Sequence, residues 1–475
     1  MKLPRLGAVL LATIMKNKGW KASVFVEEIM PVDYKEALDA DLVGISTITS
    51  TATRAYAIAD ALREFSVPVV MGGPHTTFLP DEALEHCDYV IRGEGEEALP
   101  MLAEAIAVGG ELSEIPNLSY RDKEGRIRHN ERRSTITDLD ALPFPDYNLI
   151  SGWGKIKSFG NLSLIPLQAS RGCPFSCNFC SVIGMFGRKM RLRSPENVLD
   201  EISRYAGDRT HIFFYDDNFA ANVKWTKELL RKADERGMNF RWSAQVRTDV
   251  ARDEELLALM KKRCSNLYIG FESVNPMSLK EMKKSQDPAQ MALAAKTLKR
   301  YDIDVHGMFV FGFDNDTEES IKETIKFARN CGIASVQFLI LAPLPGTPLF
   351  EQLKAEKRIT VTDWALYDTH HVVFKPKNIS PFALQRLQLK GHDAFYSLSR
   401  MLRNLATARF SVGAVCLYAR NLNSNWKRSN NIYLKALELM QKAKEITPVF
   451  DFKAEFEDIK ANIRLAAQQL AFLPT

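Results

Sequence analysis

The sequence predicts an α/β protein: a doubly wound parallel sheet, then a partial barrel of six β/α units, then a helical C-terminal region. Three observations lead there. Short apolar strands alternate with amphipathic helices through the first 110 residues and again from about 161 to 345, the pattern a helix-covered parallel sheet requires. The presumed strand ends carry glycines and small polar residues, the usual place for ligand contact in such sheets. The chain has 475 residues, 46% hydrophobic and 25% charged, which suits several globular domains and excludes disorder. With 63 Lys or Arg against 58 Asp or Glu, charge is too near balance to argue for nucleic acid. Seven cysteines are too few for a disulfide scaffold. No apolar run reaches the ~18 residues of a membrane span. The opening MKLPRLGAVLLATIM has a basic and apolar start but no small-residue cleavage site after it, so a cytoplasmic chain is expected.

Leu6 to Asn17 reads as a helix stopped by Gly19. Strands are expected at 22–29 (ASVFVEEI), 41–47, 67–75 (VPVVMGGPH) and 88–96 (DYVIRGEGE), with helices over 53–65 and up to Ala107. Such units normally open on a central strand, so the first strand is expected to be missing. The carboxyl ends of these strands hold Ser46, Thr47, Gly72, Gly73, Gly93 and Gly95, where glycine permits close backbone approach to a ligand. Residues 111–160 read as linker-like: polar RDKEGRIRHNERR, then turn-rich LPFPDYN. The six later strands are expected at 163–170, 211–218, 240–247, 266–273, 304–313 and 335–343, separated by helices over 195–206, 222–237, 253–262, 277–300 and 317–331. Barrel chemistry sits at the carboxyl ends of the strands. Beyond Pro348 the pattern turns helical and basic; RMLRNLATARF (400–410) is a basic amphipathic stretch that reads first as a solvated helix face and second as a contact for a membrane surface or an anionic lipid-like substrate, and Phe452, Phe456, Ile459 and Ile463 share a helix side. The expected divisions are 1–135, 136–160 as linker, 161–350 and 351–475.

The chemistry concentrates in RGCPFSCNFC, where Cys173, Cys177 and Cys180 follow the first barrel strand with C-x3-C-x2-C spacing. Three thiolates on a short loop suit three corners of a 4Fe–4S cube. A structural zinc site normally closes with four ligands, and no second pair follows. The fourth iron is then open to substrate.

At this point the chain resembles radical S-adenosylmethionine (SAM) enzymes. The resemblance implies that SAM chelates the open iron and is cleaved to a 5′-deoxyadenosyl radical. It implies SAM contacts at Phe179, Asp216, Asp217, Gln245, Arg247, Glu272 and Ser273. With the N-terminal glycine-bearing strands, the chain looks like the cobalamin-binding subgroup, which includes C-methylases, an anaerobic ring cyclase and hopanoid-modifying enzymes. The six strand-end residues of the first domain would then face cobalamin. The D-x-H-x-x-G loop that supplies a histidine to cobalt elsewhere is absent, so no histidine ligand is expected from this domain. His75 is not expected to bind cobalt; His370 and His371 are linker residues or line a substrate mouth.

The expected function is methylation of an unactivated carbon, with 4Fe–4S, SAM and cobalamin as cofactors, a small-molecule or lipid-like substrate and an external one-electron reductant. Cyclisation or rearrangement without methyl transfer is the first alternative. A non-enzymatic iron–sulfur carrier is the second.

Overall fold

In the computed structural model, described for residues 5–133, 136–155, 163–205, 207, 210–284, 286–407, 409–446, 457 and 460, both expected sheets form. The first runs β1 (Val43–Ser46), β2 (Val69–Gly72), β3 (Tyr89–Ile91), β4 (Leu118–Arg121) and β5 (Ile127–His129), in that spatial order. β1 to β3 are parallel; β4 and β5 join antiparallel.

The pair β4–β5 corrects the linker-like reading of 111–160. The Asp122 carboxylate accepts from the backbone N–H groups of Glu124 and Arg126, and Gly125 takes φ 76°. The polar run therefore closes a hairpin.

The strand expected over 22–29 is also corrected. Val24 makes only a single bridge to Ile150. β1 is the edge of its sheet, with Gly44 and Ser46 exposed, so no neighbouring strand receives this segment. Val24 and Val26 instead join the large core of the second sheet, together with Leu6 and Val9 of the helix Leu6–Asn17.

The second sheet holds β6 (Ser163–Leu167), β9 (Thr210–Phe214), β10 (Arg241–Val246), β11 (Cys264–Glu272), β12 (Asp304–Phe311) and β13 (Ser335–Ile340). All are parallel and follow chain order across the sheet. A small hairpin, β7 (Ser170–Arg171) with β8 (Arg191–Leu192), stands beside it. Alternation decides the faces. Ile212, Phe214, Trp242, Ala244, Leu267 and Phe309 are buried, whereas the other face carries a polar row. There His211 bonds Ser243 Oγ at 2.9 Å, Tyr268 lies 5.0 Å from His306, and His306 Nδ1 meets Ser335 Oγ at 2.8 Å.

The single helix expected over 277–300 is two, Pro276–Glu281 and Pro288–Arg300. Pro288 lacks the N–H that a continuous helix needs, and Asp287 caps the second piece by accepting from Ala289 and Gln290 N–H. The C-terminal region is helical through Ile446; the helix face assigned to Phe452, Phe456, Ile459 and Ile463 lies outside the described residues. No helix among the described residues is long and apolar enough to cross a membrane.

Candidate active site between facing sheet edges

The carboxyl ends of the two sheets face each other, and buried charge joins them. Arg171, two residues before Cys173, is 5% exposed. Its guanidinium pairs with Glu94 at 2.7 Å and Glu96 at 2.6 Å, both just beyond β3, and Arg191 reaches Glu94 at 2.9 Å. Burial opposes the Arg171 charge, yet Glu96 and Glu94 outweigh it and raise its pKa. A second joint is steric. Phe78 fills a slot that exists because residues 184 and 346 are glycines: a Cβ at Gly184 would come within 2.7 Å of the Phe78 ring, and one at Gly346 closer still. Gly184 follows the cysteine loop and Gly346 follows β13, so both ends of the second sheet grip the first domain.

The three cysteines are free thiols of intermediate exposure. Burial raises the Cys173 pKa and pushes the Cys180 thiol up to about 11, with Asp217 and the neighbouring cysteines adding to both. The thiols and the exposed Asp217 carboxylate therefore share one locality. Among the described residues no three His, Cys, Asp or Glu close around a single ion. A cube takes one cysteine per iron, so the thiols need not converge on a point. The loop is pinned from behind: Asn178 N–H donates to Met282 O, Asn178 Nδ2 donates to Glu281 O, and Leu349 N–H donates to Asn178 O. The Arg247 guanidinium stacks on Phe175 of this loop at 3.8 Å, and its Nε is buried without a partner. That orphaned donor beside three thiols fits a bound cluster and a carboxylate-bearing ligand.

The expected SAM residues divide by their engagement. Asp216 is 1% exposed, accepts from Ala169 N–H and Ser170 Oγ, and is pushed up to about 7 by burial. It ties β9 to the base of the cysteine loop. Phe179 packs edge-on against Phe313 at 5.8 Å. Gln245 is half-buried, its carbonyl accepting from Phe219 N–H. Glu272 adopts φ 62° at a bulge between β11 and β12 and forms a buried ion pair with Lys284. Gly270 makes room for that pair, since a Cβ there would lie 2.8 Å from Lys284 Nζ. Ser273 Oγ accepts from Asn275 N–H.

The strand-end residues expected to face cobalamin have reasons internal to the protein. Gly73 takes φ 98° and ψ 178°, and a Cβ there would collide with the Thr47 carbonyl. The Thr47 side chain bonds Thr51 Oγ1 at 2.7 Å. At Gly93 (φ 80°) a Cβ would meet the Arg132 side chain at 3.5 Å; at Gly95 it would meet Ile91 at 3.5 Å and Leu11 at 3.6 Å. Gly72 and exposed Ser46 keep the carboxyl edge of β1 and β2 open, since a Cβ at Gly72 would make only ordinary contact with Ile91 O at 3.7 Å. Each histidine of this domain is engaged. His75 Nε2 bonds Tyr56 OH at 3.0 Å, His86 meets Asp60, and His129 meets Ser119 and Asp81. The open edge fits a bound cobalamin; His75 is buried, and its Nδ1 has no hydrogen-bond partner. His371 lies between Asp368 and Asn430, and the His370 carbonyl accepts from Gln385.

Sequence reasoning missed Arg171, Glu94, Glu96 and Phe78. The one signal was local: opposite charges directly beside both glycine-containing motifs, RGEGE and RGC.

Comparison with known proteins agrees with this geometry. Residues 167–328 match the model of the radical SAM superfamily and residues 1–103 that of the B12 binding domain. The chain is 33% identical over 413 residues to an uncharacterized methyltransferase of Pyrococcus horikoshii, covering 84% of this chain and 89% of that protein. It is 32% identical to the bacteriochlorophyllide d C-12(1)-methyltransferase of Chlorobaculum tepidum, covering 77% of this chain and 76% of the relative. Its fold resembles that of the radical SAM methyltransferase TsrM from Kitasatospora setae, with TM-score 0.63 and 18% identity over 76% of this chain and 73% of that one. Two domain matches in the order of the two sheets, and relatives matched over most of their length, place this chain in the radical SAM superfamily, among its enzymes with an N-terminal B12-binding domain.

Proposed function

We propose that this enzyme methylates an unactivated carbon of a small or lipid-like, largely apolar molecule. The observation that carries the reading is the cysteine loop seated at the edge where the second sheet meets the B12-binding domain. When bound, the cluster supplies the electron that cleaves SAM, and cobalamin carries the methyl group. Cys173, Cys177 and Cys180 hold the cluster. Arg247 offers its unpaired Nε to a carboxylate, the exposed Asp217 meets an ammonium, and Phe179, Gln245, Glu272 and Ser273 shape the remaining SAM pocket. Asp216 acts on the loop instead of on SAM. The edge formed by Ser46, Thr47 and Gly72 receives cobalamin, and Gly73, Gly93 and Gly95 keep that edge in shape. The likeness to the bacteriochlorophyllide d C-12(1)-methyltransferase supports a bulky apolar substrate.

We read the six parallel strands as a partial barrel and divide the chain at 1–135, 136–160, 161–350 and 351–475; the two sheets fall on either side of the second segment. An external one-electron reductant completes the reaction, and no nucleic acid takes part. Free cysteines throughout the described residues suit a reducing cytoplasm.

The test is anaerobic reconstitution with iron, sulfide and hydroxocobalamin. The full chain should retain cobalamin after desalting and form 5′-deoxyadenosine on reduction with SAM. Replacing any one of the three cysteines by Ala should abolish both the roughly 400 nm absorption and deoxyadenosine. Deoxyadenosine from the triple variant would overturn the cluster assignment; a folded, cluster-replete chain that retains no cobalamin would favour cyclisation or rearrangement.

A further inference from the structure

A surface helix normally turns its apolar stripe to the core. The helix Leu398–Ala406 does the reverse. Its one buried residue is Asn404, while Leu398, Leu402 and Leu405, which share one face, are exposed, Leu402 to 61%. The next helix, Phe410–Ser429, packs against it through Gly413, where a Cβ would come within 2.8 Å of Leu405. This helix buries Val412 and Cys416 and shows Phe410 (65% exposed), Val415, Leu417, Tyr418 and Leu422 to solvent. Of the nineteen large apolar side chains exposed among the described residues, ten fall between Leu398 and Leu439.

The charge of this segment is equally one-sided. Residues 394–437 hold seven Lys or Arg and no Asp or Glu. Arg403, Arg428 and Lys435 are exposed, and Arg428 continues the face of Phe410 and Leu417 five turns on. Arg409 and Lys427 are paired, with Asp304 and Asp393. Arg409 thus anchors the helix pair to the first residue of β12, and Arg400 donates to Ile333 O just before β13. The helix pair starts at the amino edge of the second sheet, and its second helix runs along the sheet to the carboxyl end, where Asn430 bonds His371.

We propose that the solvent side of these two helices docks on an anionic lipid bilayer. Exposed leucines and aromatics flanked by basic residues are what an interfacial helix presents to headgroups and acyl chains. A second copy meets the same face less well, because an isologous contact would oppose like charges.

The test uses the full, cluster-loaded chain in sedimentation with vesicles. It should pellet with vesicles containing phosphatidylglycerol, much less with pure phosphatidylcholine, and less at high salt. Leu402→Asp and Phe410→Asp should each weaken binding about tenfold or more while leaving the melting temperature unchanged. Leu293→Asp, at an exposed leucine of the helix Pro288–Arg300, should bind like the wild type. No binding to anionic vesicles, or unchanged binding by both variants, overturns the proposal. A stable dimer that Leu402→Asp splits would give the face to self-association and also overturn it.

Discussion

Gly73 shows how one residue's role changes once its neighbours are known. From sequence, a glycine at a strand end invites a ligand; in the fold, the same position is closed by the Thr47 carbonyl. Its backbone angles belong to a region open almost only to glycine. Gly73→Ala should therefore cost about 1–3 kcal/mol in melting experiments with no cobalamin present. Stability unchanged without cobalamin would restore the ligand reading. Glu272 combines two roles that a double variant separates. Glu272→Ala leaves the Lys284 ammonium buried without its partner, a loss of about 3–5 kcal/mol, and should also weaken SAM binding. Adding Lys284→Met should recover most of the stability. If calorimetry shows SAM affinity recovering with it, Glu272 serves structure alone.

Elements whose partners are local were legible in the sequence; those depending on distant partners were not. Val69–Gly72 lies inside VPVVMGGPH, and Leu6–Asn17 forms as read, because alternation and a Gly stop are local signals. ASVFVEEI carries a good strand pattern but has no strand to pair with, and pairing is not written in the segment itself. C-x3-C-x2-C was legible for the same local reason, whereas the pairing of Glu94 and Glu96 with Arg171 was hidden by sequence separations of 77 and 75. The polar layer of the second sheet also bears on pH. Burial lowers His306 on β12 and His392, which packs on β13, to about 4. The folded state thus binds fewer protons than the unfolded state, whose histidines titrate near 6.5. The stability they provide is full above that value and lost as pH falls toward 4. Asp216, raised to about 7, acts with the opposite sign, so the comparison must be made within pairs. His306→Asn should lose less stability than the wild type between pH 6.5 and 4 in parallel melts; equal losses would remove His306 from the account.

At the scale of the whole molecule, two domains share one buried charge cluster. Arg171→Ala would strand Glu96 in a dry interface and leave Glu94 to Arg191, at a cost of about 3–5 kcal/mol. The variant should undock the domains, seen as faster proteolysis between residues 133 and 163 and as poorer cluster loading. Wild-type proteolysis and loading would show that Phe78 and its glycine slot suffice. The same cluster has a consequence for synthesis. Glu96 leaves the ribosome 75 residues ahead of Arg171. At 5–20 residues per second, the acidic pair waits roughly 4–15 s for its counter-charge. During that interval the nascent N-terminal domain keeps both carboxylates in water and its carboxyl edge uncovered.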